Sequence, residues 1–77
     1  MNLNETKSNL GLRIAKIRQE RGYSQRTFSS MIELDRVTLN RIESGMGNPT
    51  IGTLQRIAEG LEVGVADLFA APKQDEL

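Results

Sequence analysis

A chain of 77 residues with neither cysteine nor histidine has room for one domain, and packing alone must hold it together, since no disulfide and no Cys/His zinc site can help. The same absence removes thiol and imidazole chemistry, and no paired arrangement of hydroxyls, lysines or carboxylates suggests a catalytic pocket, so neither enzymatic activity nor a cofactor or metal is expected. Ten basic residues balance ten acidic ones, but unevenly: residues 1–47 carry eight Lys/Arg against five Asp/Glu, and residues 48–77 carry two against five. A basic amino-terminal half inside a neutral total suits nucleic-acid binding by a local surface.

Residues 1–7 are polar and without periodicity, and a flexible amino-terminal lead-in is expected there. Ser8 or Asn9 can cap a first helix in which Leu10, Ile14 and Ile17 recur at spacings of four and three, one face of a 3.6-residue period, and Gly22 ends it. Tyr23 follows as an apolar anchor. Ser24 then caps a second helix, residues 25–32, that turns Phe28, Ser29 and Ile32 inward. Asp35 caps a third, from Arg36 to about Ser44, with Leu39 and Ile42 inward and Gly45 as its stop. The glycines and proline of GMGNP, residues 45–49, mark a loop.

Thr50 caps a fourth helix with Ile51, Leu54, Ile57, Ala58 and Leu61 on one face, closing near residues 60–62. A fifth, residues 65–70, carries Leu68 and Phe69 and places Asp67 where it can bond back to Gly64. The domain thus covers residues 8–71, and residues 72–77 read as a flexible carboxy-terminal tail. No strand pattern of useful length interrupts the helices, so the fold class is all-α. No apolar run approaches the roughly 20 residues that span a bilayer, and MNLNETKSN lacks the apolar stretch of a signal peptide. A cytoplasmic protein without membrane association is expected.

About two residues separate helix two from Asp35, too few for an antiparallel return, so helices two and three must cross steeply. Phe28, Ser29, Ile32, Leu39 and Ile42 supply the apolar and small side chains that such a helix-turn-helix needs. The sequence resembles the Cro/CI-type, or Xre-like, helix-turn-helix repressors over residues 10 to about 70, on LGLRIAKIRQERGYSQRTFS, TLNRIESG and NPTIGTLQRIAEGLEVGVADLF. The resemblance implies a compact five-helix, lambda-repressor-like DNA-binding domain of a prokaryotic regulator. It further implies that Gln25 fastens to a DNA phosphate, that the early and middle residues of the third helix enter the major groove, and that Arg18 pairs structurally with Glu43. The chain departs from the family pattern at Glu33, where a turn glycine is usual; a non-glycine residue at positive φ costs on the order of 1 kcal/mol.

A helix entering the major groove amino-terminus first presents its opening turn, and the residues one turn on, to base edges. Here these are Asp35, Arg36, Val37 and Thr38, then Asn40 and Arg41. Arg36 and Arg41 can each grip a guanine, Val37 or the Thr38 methyl can lie against a thymine methyl, and Asn40 can bond adenine or phosphate. Ser44, Asn48 and Thr50 flank a helix start that suits a phosphate. One domain reads few base pairs, so a homodimer on two-fold related double-stranded DNA is expected, with Leu61, Val63, Val65 and Phe69 as apolar candidates for its interface. The expected function is sequence-specific, repressor-like regulation of transcription, nucleoid-associated when bound and without a small-molecule ligand. A restriction-modification controller protein and the antitoxin of a toxin pair are narrower alternatives, and a helical protein-interaction module without DNA binding is the alternative of another kind.

Overall fold

Five helices make up the regular structure in the computed structural model, which describes residues 1–70: α1 Leu3–Glu20, α2 Gln25–Met31, α3 Arg36–Glu43, α4 Ile51–Leu61 and α5 Val65–Leu68. The tail expected at residues 72–77 lies outside the described residues. Ser24, Asp35 and Thr50 cap α2, α3 and α4 as their positions suggest, each side-chain oxygen accepting the backbone N–H three residues on.

The first helix corrects the expected boundary. It begins at Leu3 rather than after Ser8 or Asn9, so most of the polar lead-in is helical. The cause is local chemistry rather than burial: Asn2 Oδ1 accepts the Glu5 N–H at 2.8 Å, and the Asn2 N–H donates to Glu5 Oε1 at 3.1 Å. This reciprocal pair satisfies the donors that an open helix end leaves exposed. The fifth helix is shorter than expected, ending at Leu68 with Phe69 as its cap. Asp67 Oδ2 accepts the Gly64 N–H at 2.8 Å, holding its start.

Leu10, Ile14 and Ile17 of α1 meet Phe28 of α2, Leu39 and Ile42 of α3, Leu54, Ile57, Ala58 and Leu61 of α4, and Leu68 of α5 in one core. Tyr23, Ile32, Leu34, Val63 and Val65 close its margins, and the Tyr23 and Phe28 rings stack with centroids 5.8 Å apart. Ile51 was expected on the buried face of α4 but is exposed. It occupies the first helical position, at the margin of the apolar stripe and beside the 45–49 loop, where no neighbouring helix covers it.

Helix ends explain how the elements are fixed to one another. The α2–α3 turn keeps Glu33 in the left-handed region at φ 57, and Glu62 does the same after α4 at φ 63. Around Glu33, the Leu34 N–H donates to Ser29 O at 2.8 Å and the Glu33 N–H to Ser30 O at 3.2 Å, the pair of bonds that closes a left-handed helix end. The turn therefore retains the geometry a glycine would give it and carries the strain of a side chain there. Three arginines bond carbonyls at other helices' carboxyl ends: Arg13 Nε to Asp67 O at 3.0 Å, Arg21 Nε to Leu61 O at 3.0 Å, and Arg56 Nη2 to Ile32 O at 2.9 Å and to Glu33 O. A cation at the negative end of a helix is favourable, so these contacts lock element to element as well as satisfying acceptors.

Candidate nucleic-acid interface

α3 has two faces of opposite chemistry. Leu39, Ile42 and Glu43 are buried, whereas Arg36, Val37, Asn40 and Arg41 follow one another on the solvent side at the spacing of adjacent turns. Val37 is 63% exposed, an apolar side chain set between arginines without a neighbour to cover it. Asp35 sits at the amino end, but its Oδ2 accepts the Thr38 N–H at 3.2 Å, so the carboxylate already closes the first turn. Thr38 is exposed beside it. Arg41 makes one long contact within the chain, from Nη2 to Met46 O at 3.4 Å.

Behind that face lies a polar network. Arg18 and Glu43 form a two-pronged pair, Nε to Oε2 at 2.7 Å and Nη2 to Oε1 at 3.0 Å, with both side chains under a tenth exposed. The remaining guanidinium arm, Arg18 Nη1, donates to Tyr23 O at 2.6 Å. Gln25 Nε2 also donates to Glu43 Oε1, at 2.9 Å, and Asn40 Nδ2 reaches Gln25 Oε1 at 3.3 Å. One continuous chain thus runs from the interior to the exposed side of α3. It joins α1, α2 and α3, and Gln25, Arg36, Val37 and Asn40 line a single hollow at its outer end. A charged pair this buried depends on its full set of hydrogen bonds.

Asn48 and Thr50 share a second hollow with Thr38, Arg41 and the loop before α4, of about 250 Å³. Thr50 Oγ1 accepts the Thr53 N–H at 3.1 Å as the α4 cap. Ser44 stands apart from this hollow, its Oγ donating to Asn40 O at 2.8 Å inside α3. The candidates for a subunit interface divide differently. Leu61 is wholly buried in the protomer's own core, which corrects its assignment to a partner surface: an apolar residue on the inward stripe of α4 meets the other helices first. Val63 and Val65 are half-buried against that core, and Phe69 is 48% exposed.

Sequence reasoning missed the roles of Arg13, Arg21 and Arg56, whose carbonyl partners lie 54, 40 and about 24 positions away along the chain. No local pattern marks such a contact. The link from Glu43 through Gln25 to Asn40 was missed for the same reason, although each residue was singled out separately. No described helix is long and apolar enough to cross a membrane.

Two short helices in contact across the turn of residues 32–35, a capped second member with a cationic outer face, and a buried ion pair fixing that member to α1 define the class: a helix-turn-helix DNA-binding domain. Residues 14–68 match the model of the HTH_3 helix-turn-helix family, and the chain belongs to that family. It is 33% identical over 69 residues to the control protein C.MunI of a Mycoplasma species, an alignment covering 88% of this chain and 93% of that one. Among solved structures, a variant of the restriction-modification controller protein C.Esp1396I matches with a TM-score of 0.75 at 36% identity, over 83% of this chain and 81% of that one. The controller protein C.AhdI from Aeromonas hydrophila matches with a TM-score of 0.78 at 27% identity, over 80% and 94%.

Proposed function

We propose that this helix-turn-helix transcriptional regulator binds a two-fold related operator as a homodimer, with α3 of each protomer in the major groove and Arg36 and Arg41 reading bases. The exposed row Arg36, Val37, Asn40 and Arg41 carries the reading. Donors of fixed geometry flank an uncovered apolar side chain, and the major groove offers the complement of both, guanine acceptors and thymine methyls. Gln25, hydrogen-bonded to Asn40 of that row, stands at its margin, where it can give its second amide hydrogen to a phosphate. Asn48 and Thr50 hold a second phosphate beside the start of α4. Asp35 and Thr38 act chiefly by setting where that first turn begins.

Within this class, a controller protein of a restriction-modification system is the narrower reading. Its support is that the alignment with C.MunI runs through 93% of that protein and that the two controller structures are matched over most of their length. Subunit pairing would use Val63, Val65 and Phe69 near the carboxyl end of the described chain.

Selection of bound duplexes from a random pool tests the proposal. The enriched sequence should be a two-fold repeat with half-site centres about 34 Å apart, bound by two protomers. A single asymmetric half-site occupied by one protomer would refute the dimeric reading, and a pool that never enriches would refute base reading altogether.

A further inference from the structure

Arg56 lies on α4, outside the α2–α3 pair, yet its guanidinium holds the turn between those helices. Nη2 donates to Ile32 O at 2.9 Å and to Glu33 O, the two carbonyls on either side of the bend. Four residues on, and so on the same side of α4, Gly60 lets the turn come close: a Cβ there would stand 2.5 Å from Ile32 Cγ2 and 2.9 Å from Phe28 Cε1. The bend thus rests against α4 at two adjacent points, one polar and one steric.

The bend also needs holding. Glu33 occupies the left-handed region at φ 57, where an L side chain is disfavoured, so the turn has a weaker intrinsic preference for this geometry than a glycine would give. A rotation at Glu33 would swing α3 relative to α2, and with it the outward row of arginines. We propose that Arg56 is a positioning residue for DNA recognition: by clamping the Ile32 and Glu33 carbonyls to α4 it fixes the turn, and through the turn the angle at which α3 meets the base edges. The proposal rests on the reading of α3 as the base-reading helix. Arg56 touches neither base nor phosphate in this role; it acts through the backbone of the turn.

The test compares the full-length protein with Arg56→Gln, Glu33→Gly and the double variant, on the selected operator and on random duplex, across a range of salt. Arg56 is exposed, so Arg56→Gln should fold. It should bind operator about tenfold more weakly, change little on random duplex, and leave the slope of log affinity against log salt as it was. Glu33→Gly in the same chain should restore most of the loss, because a glycine holds the left-handed turn without help. Hydrogen exchange at the Leu34 amide, which closes the turn on Ser29 O, should quicken in Arg56→Gln and slow again in the double variant. That readout needs no DNA.

A slope shallower by about one per protomer would place the guanidinium on a phosphate and overturn the proposal. Equal losses on both duplexes, unchanged Leu34 exchange, or no recovery with Glu33→Gly would overturn it as well. A wild-type protein that prefers no sequence would instead defeat the base-reading assignment beneath it, a failure visible before any variant is compared.

Discussion

Arg36 and Arg41 face solvent on α3 without an acid in ion-pair reach among the described residues, where Arg18–Glu43 is the one such pair. If they read bases, Arg36→Ala or Arg41→Ala should cost about 1–3 kcal/mol on the operator and far less on random duplex, flattening preference at one base pair per half-site. Equal losses on both duplexes would assign them to phosphate. Gln25→Ala should lower affinity for every sequence alike, and it should also lower stability by about 1 kcal/mol, because Glu43 Oε1 loses the amide donor at 2.9 Å. Glu43→Ala goes further. It leaves the buried Arg18 guanidinium with Tyr23 O as its remaining partner, and a loss of about 3 kcal/mol in unfolding free energy is expected without DNA present. Unchanged melting with collapsed affinity would make Glu43 a DNA-contacting residue instead.

At the scale of the helix, the close approach of α1 to the end of α3 depends on Gly11. A Cβ there would lie 2.4 Å from Ile42 O and 2.5 Å from Glu43 O, backbone that cannot rotate away. Gly11→Ala should therefore force the two helices apart, costing about 1–3 kcal/mol in urea unfolding and loosening the Arg18–Glu43 bridge beside it. A variant as stable as wild type would mean that the helices separate without cost. The caps of α2, α3 and α4 and, Ile51 apart, their inward residues were legible because each is written within a few positions: an apolar period, a capping side chain, a stop. The start of α1 was misread because periodicity begins only at Leu10, although Asn2 followed three residues later by Glu5 spelled a capping box. Leu61 was readable as core from its place in the α4 stripe; assigning the same side chain to a partner surface asked it to face two ways. What no local pattern contained was the use of arginines on remote carbonyls, since Arg13, Arg21 and Arg56 look identical in sequence to arginines available for DNA.

For the molecule as a whole, that division of arginines decides how strongly binding should depend on salt. Arg13, Arg18, Arg21 and Arg56 are engaged within the protomer, by carbonyls or by Glu43. On the α2–α3 side this leaves Arg26, Arg36 and Arg41, exposed and, apart from the long Arg41 contact to Met46 O, without a partner among the described residues. A homodimer presenting these three from each protomer would bring six cations to the duplex. At about 0.9 counterions released per phosphate whose charge a cation neutralises, whether the cation bonds that phosphate or lies between phosphates at a base edge in the groove, log affinity should fall with log salt at a slope of about −5. The neutral net charge of the chain supplies no additional long-range attraction, so the slope measures the local face directly. A titration across salt concentrations on the selected operator checks it. A slope near half that value would mean that one protomer binds, or that α3 stands off the backbone. A slope near −9 would require Lys7 and Lys16 of α1 to reach phosphates as well, and DNA would then have to wrap past the α2–α3 face onto the first helix.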